Sequence, residues 1–166
     1  RKGGGTCYAI NGEHAFHAIF GHERICVITH PSDTAPVLAA LGAKVRTMGP
    51  EGSRVIPVEN FHVLPAQDPT VETVLKPGEV VTHVELPAPA AGLKSRYRKV
   101  RARRSWDFAL AGAALAIEMD GGKVANARVF LSGAAPVPWR SRPVESAVTG
   151  RPLDSKTIQE AARAVV

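Results

Sequence analysis

A chain of 166 residues with 45% hydrophobic content can bury the core of one compact domain or two small ones, which excludes wholesale disorder. It holds no apolar run of roughly 18 residues, which excludes a candidate transmembrane helix. The net charge of +6 admits acidic partners, and two cysteines are too few for a disulfide framework.

Residues 1–12 read as a Gly-rich loop that opens on Arg1-Lys2-Gly3-Gly4-Gly5, without an initiator Met or an apolar leader. The last residues, Ala161 to Val166, run on in a helical pattern with no Gly or Pro stop, so both ends are expected to be cut points of a longer chain. His14 to Gly21 reads as a short turn or helix closed by Gly21, and Ile25-Cys26-Val27-Ile28 predicts a short buried strand. Asp33 to Leu41 predicts a helix: Ser32 or Asp33 caps it, Pro36 falls in the first turn where no donor is needed, and Gly42 closes it. Ala43 to Met48 alternates as a strand, Gly49-Pro50-Glu51-Gly52 makes a turn, and Arg54 to Val58 returns. Residues 64–78, with Pro65, Pro69, Pro77 and Gly78, form a surface connection before a strand from Glu79 to Leu86. Pro87 to Gly92 reads as a proline-stiffened linker.

Beyond it lie a basic strand from Ser95 to Arg103, an Ala- and Gly-rich stretch from Phe108 to Glu118, a hairpin signal at Asp120-Gly121-Gly122 and a returning strand from Val124 to Leu131. Helices follow over Pro143 to Val148 and Asp154 to Val165, the second capped by Asp154 or Ser155. Three strands followed by helices give a small α+β domain.

The motifs taken singly point to no self-contained catalysis. Gly3-Gly4-Gly5-Thr6 is either a phosphate cradle or a flexible loop, and fits neither the dinucleotide nor the Walker pattern. His14 and His17, at i and i+3 with His22 and Cys7 nearby, suit either a metal face, as in a non-redox zinc-binding scaffold, or ordinary surface and core histidines. The run from Tyr97 to Arg104 could track a phosphate backbone as a nucleic-acid-binding module, or line a subunit or cofactor interface, because a strand splits its charges over two faces. No nucleophile elbow or Ser/His/Asp set is present.

Taken in order, several stretches form a series: Cys7-Tyr8-Ala9, His17-Ala18-Ile19-Phe20-Gly21, Cys26-Val27-Ile28-Thr29-His30-Pro31-Ser32-Asp33, Leu38 to Ala43, Lys76-Pro77-Gly78-Glu79-Val80-Val81, Leu86-Pro87, Tyr97-Arg98-Lys99-Val100-Arg101, Phe108-Ala109-Leu110 and Pro138-Trp139-Arg140. This series resembles the FAD-binding medium subunit of molybdenum hydroxylases, the xanthine and carbon monoxide dehydrogenase flavoprotein family. It is most similar to the aldehyde oxidoreductase type, whose flavin subunit also carries an iron–sulfur cluster.

The resemblance implies a fold: residues 1–89 would be the C-terminal half of a PCMH-type FAD-binding domain, and residues 90–166 most of a small α+β domain with a three-stranded antiparallel sheet plus helices. It implies a function, electron relay from iron–sulfur clusters to FAD and on to an external acceptor. The partners it implies are a molybdopterin-binding large subunit and a [2Fe-2S] small subunit, with no nucleic acid. It also implies site residues. Ser32 and Asp33 contact the ribose or ribityl region of FAD, Lys99 and the Val81 backbone lie near the flavin ring, and Glu79 belongs to the same cofactor-binding set. Cys7 and Cys26 match two ligand positions of a [4Fe-4S] cluster, which ordinarily takes four thiolates.

Overall fold

The computed structural model describes residues 5–165. The phosphate-cradle reading falls partly on Gly3 and Gly4, outside the described residues. Among these residues the fold is α+β, with two antiparallel sheets and three short α-helices.

The first sheet grows from the predicted hairpin. β1 (Lys44–Gly49) and β2 (Gly52–Pro57) pair in register from Lys44↔Pro57 to Gly49↔Gly52, leaving Pro50-Glu51 as a two-residue turn. Gly52 takes φ +103, where an L side chain is strained. A 3₁₀ turn over Val58–Asn60 follows, and β3 (Val80–Glu85) pairs with the free edge of β1. The strand order is β2-β1-β3, with an irregularity between Arg46 and Thr47. Period-two alternation points Val45, Thr47 and Ile56 inward.

The second sheet has the order β4-β5-β6-β7: β4 (Leu93–Val100), β5 (Ala111–Asp120), β6 (Lys123–Ser132) and β7 (Trp139–Arg140). The β5–β6 turn is Gly121-Gly122, at φ +52 and +79. That pair of positive values matches the strand twist, which is why the sequence signal there is strong. β7 makes four strands where three were expected. It is only two residues long, pairing Leu131↔Trp139 and Phe130↔Arg140, so it carries no readable alternation.

Helices cover both faces of this sheet. α1 (Thr34–Ala40) lies on one face, where Ala39, Ala40 and Ala43 join Val45, Ile56 and Val58 of the first sheet and Ala114, Ala116 and Phe130 of the second in one core. Its many alanines let helix and sheet backbones approach closely. α2 (Arg142–Val148) and α3 (Ser155–Arg163) cover the other face through Val144, Val148 and Ala161 on Val124, Ala127 and Val129. Asp154 caps α3 as expected, accepting from the Thr157 N–H at 2.8 Å.

The predicted strand at 25–28 is absent. Cys26 and Val27 are buried, but Ile25 and Ile28 are half exposed, and no strand among the described residues pairs with them. The neighbouring backbone bonds elsewhere instead: Ala18 N–H to Val27 O (2.9 Å), Ile19 N–H to Ala134 O (2.9 Å) and His30 N–H to Ala135 O (2.8 Å). This irregular segment is thereby tied to the loop between β6 and β7. Phe20 stacks on Trp139 with centroids 5.5 Å apart. A Cβ on Gly21 would come 2.8 Å from the Trp139 ring, so glycine is required there.

Candidate functional site

The start of α1 brings together residues far apart in sequence. Ser32 does the capping, its Oγ accepting from the Ala35 N–H at 3.0 Å; Asp33, at the N-cap position, makes no side-chain cap bond. The Asp33 carboxylate is thus free to reach β4, where Tyr97 and Lys99 project from the same face at i and i+2. Tyr97 Oη donates to Asp33 Oδ1 at 2.7 Å, and Lys99 Nζ to Oδ2 at 2.6 Å. The Ser132 hydroxyl sits 3.1 Å from Tyr97 Oη, fixing the phenol from β6.

Partial burial opposes charge on Asp33. The hydrogen bonds from Lys99 and Tyr97, with the charges of Lys99 and Arg101, outweigh it and hold the carboxyl below its usual range. Burial raises Tyr97, helped by Asp33 and opposed by the Ser132 hydrogen bond. Lys99 is the more buried member of the pair, with 17% of its side chain exposed against 44% for Asp33. The cation therefore stands at the wall of the site with its direction set by a carboxylate.

Gly112 makes this arrangement possible. It lies opposite Lys99 on β5, and a Cβ there would fall 2.3 Å from Ser132 Oγ and 2.8 Å from Tyr97 Oη. Tyr97, Ser132 and Gly112 were given no site role by the sequence, although Tyr97 stands in the series that carries Lys99. The available signal was the alternation that puts Tyr97 on the same face as Lys99.

Beside the Asp33–Lys99 pair opens a groove of about 390 Å³ lined by Pro31, Asp33, Lys99, Arg101, Trp106, Asp107 and Phe108. Trp106 is 94% exposed and adopts φ +48, and Phe108 is 71% exposed. An apolar, aromatic wall next to an oriented cation suits a flat aromatic ligand with a polar, electron-accepting edge.

Val81 lies on β3 of the other sheet and Glu79 immediately precedes that strand, and no hydrogen bond or ion pair among the described residues joins them to Asp33 or Lys99. Glu79 is enclosed. Its side chain is 3% exposed and accepts from Arg54 Nε (2.8 Å), Lys76 N–H (2.8 Å) and the Thr47 hydroxyl. The Arg54, Lys76 and Thr47 hydrogen bonds push its carboxyl down to about 2. These bonds brace the β1–β2 hairpin against the start of β3, and they occupy the carboxylate. Val81, by contrast, pairs opposite Thr47 at the sheet edge and is 41% exposed.

Cys26 is buried and Cys7 partly buried, both as free thiols. Among the described residues no three His, Cys, Asp or Glu side chains are grouped to hold a metal ion. His14 and His17 bond to one another, Nδ1 to Nδ1 at 2.8 Å.

Two family descriptions match consecutive parts of the chain: the FAD binding domain in molybdopterin dehydrogenase over residues 22–89, and the CO dehydrogenase flavoprotein C-terminal domain over residues 95–166. The chain is 43% identical over 141 residues to the aldehyde oxidoreductase FAD-binding subunit PaoB of Escherichia coli (strain K12), covering 84% of this chain and 43% of that protein. It is 30% identical over 138 residues to the carbon monoxide dehydrogenase medium chain of Hydrogenophaga pseudoflava, covering 82% and 46%. Among solved structures, the reconstituted CO dehydrogenase from Oligotropha carboxidovorans matches with a TM-score of 0.70 at 27% identity, over 80% of this chain and 44% of that one. The chain thus spans less than half the length of these relatives.

Proposed function

The chain belongs to the family of FAD-binding medium subunits of molybdenum hydroxylases, and from that membership we propose that it serves as the FAD-binding, electron-relaying part of an oxidoreductase of the aldehyde or xanthine dehydrogenase type. Its partners in this reading are a molybdopterin-binding large subunit and a [2Fe-2S] small subunit. The division at residues 89 and 90 is the boundary between the flavin-binding domain and the domain that follows it.

The observation that carries the reading is Lys99, directed by Asp33 and Tyr97 beside an aromatic groove. The residues present suit FAD. When bound, the flavin takes up and gives out electrons, while the protein positions it and sets its potential. Lys99 presents a fixed positive charge that favours the more negative, reduced form. Asp33 holds Lys99, and its exposed side can still accept from a sugar hydroxyl. Ser32 holds the α1 N-terminus so that Asp33 is free to do this. Val81 offers a half-exposed position on the outer strand β3, and Glu79 fixes the start of that strand.

Cys7 and Cys26 supply two of the four thiolates of a [4Fe-4S] cluster, a buried and a partly buried sulfur suiting a cluster kept from bulk water. About four irons per full-length subunit, lost in Cys7→Ser, support the cluster; an iron-free, flavin-replete subunit rules it out. The experiment on the flavin reading is cofactor content of the full-length subunit purified with its partners. The expected result is one FAD per subunit, reduced in Asp33→Ala. Full retention in that variant removes Asp33 from the site, and a flavin-free wild-type complex removes the function.

A further inference from the structure

β4 is an outer strand of its sheet, so one edge has no strand beside it among the described residues. Lys94, Arg96 and Arg98 project along it from one face, all exposed, and the strand runs into an exposed loop carrying Arg101, Arg103 and Arg104. The Arg103 guanidinium donates to the Trp106 carbonyl at 2.7 Å. The other five cations make no ion pair among the described residues, whereas Arg46, Arg54, Arg128, Arg140 and Arg151 each hold a carboxylate. The molecule's net charge of +6 is therefore concentrated within residues 94–104. Mutually repelling charges on one edge cost stability and contribute nothing to the core, so their use lies in an anionic surface outside the chain. They also adjoin the site: Lys99 leaves the same strand from the opposite face, and Arg101 lines the groove with Trp106 and Phe108.

We propose that this cationic edge is the docking surface for an acidic electron-carrier protein, which it brings up to the groove at Asp33 and Lys99. This inference rests on the flavin reading above. Permanent subunit interfaces are depleted of charge at their centres, whereas redox encounters are small, polar and steered by opposite charge. Single-stranded nucleic acid needs aromatic rings interleaved with the cations, but the one ring within the run, Tyr97, is turned to the opposite face and engaged by Asp33 and Ser132, and Trp106 and Phe108 both follow the run. The electron count closes with a one-electron carrier: one reduced flavin, FADH⁻, would give up two electrons, one to each of two carriers, and release its proton to solvent.

The test uses one haem protein in two charge states, native basic cytochrome c and its succinylated, acidic form, against the assembled full-length enzyme. Calorimetry at low and high salt gives each Kd. The dithionite-reduced enzyme is then mixed with each form, and with benzoquinone as a neutral acceptor that needs no docking surface. The succinylated form is expected to bind, to weaken with added salt, and to be reduced faster than the native form. R96E/R98E/R104E weakens that binding about tenfold or more while flavin content and benzoquinone reduction are unchanged. The neutral R96Q/R98Q/R104Q falls between. Equal affinity for the two cytochromes, or full binding by the charge-reversed variant, overturns the proposal. So does tighter binding of a single-stranded oligonucleotide than of the acidic protein. An enzyme without flavin refutes the earlier reading instead, and the Kd values still decide whether the edge docks an acidic surface.

Discussion

Replacing Gly112 by alanine perturbs the site without touching any charged group. The added Cβ would lie 2.3 Å from Ser132 Oγ, 2.8 Å from Tyr97 Oη and 3.3 Å from the Arg98 carbonyl oxygen. Ordinary contact begins near 3.4 Å, so two hydroxyls must move, one by about 1 Å and the other by about half that. The third contact is with backbone of the paired strand and leaves little room to retreat. Overpacking of this kind costs about 1–3 kcal/mol, and weakening the Tyr97–Ser132 and Tyr97–Asp33 hydrogen bonds adds about 1 kcal/mol. We expect Gly112→Ala to destabilise the full-length subunit by about 2–4 kcal/mol in a urea titration with unchanged m-value. Ser132→Ala removes the nearest clashing atom, so the double variant should recover at least about 1 kcal/mol relative to additivity. A Gly112→Ala cost under about 0.5 kcal/mol, or strict additivity with Ser132→Ala, would refute the claim that these three residues are packed around Asp33.

The depressed carboxyl of Glu79 links stability to acid: its contribution is complete above the ordinary glutamate value of 4.5 and is lost as pH falls towards about 2. Unfolding followed over that window should show a loss in the wild type that Glu79→Gln lacks. Asp33→Asn keeps the shape but removes the charge; with Asp33 half exposed the stability loss should stay near 1 kcal/mol, while flavin content falls further than that loss explains. Asp33 is also depressed, so its ion pair persists above the ordinary aspartate range and breaks as pH drops below it, which a pH series of flavin retention would detect. Phe130, 1% exposed between both sheets, should cost about 3–5 kcal/mol when cut to alanine, measured by the same urea titration.

Strong local rules were legible in the sequence. The Gly49–Gly52 and Gly121-Gly122 hairpins, the α1 start at Ser32-Asp33 and the α3 cap at Asp154 each depend on residues adjacent in the chain. Features decided by distant partners were not. Ile25 to Ile28 has the composition of a strand, but its neighbourhood bonds to the loop at Ala134 and Ala135, so no ladder forms. β7 owes its existence to pairing with Phe130 and Leu131 rather than to its own two residues. Asp33 and Lys99 were both singled out, but 66 positions separate them, and nothing local says that they touch. Tyr97 was quoted only as part of a run and Ser132 was given no site role, because nothing local says that their hydroxyls meet each other and Asp33. Glu79 illustrates the reverse: a carboxylate selected by resemblance is held by Arg54, Thr47 and Lys76, a set assembled only when three strands meet.

The proposed place of Lys99, as a cation held by Asp33 beside the flavin, is tested most directly by the flavin midpoint potential of the assembled enzyme with Lys99→Met. A partly buried positive charge favouring the reduced form by about 1 kcal/mol corresponds to roughly 20 mV in a two-electron couple. The potential should therefore become more negative by about that amount or more, with FAD still bound. An unchanged potential at full flavin occupancy would place Lys99 away from the flavin and contradict the account.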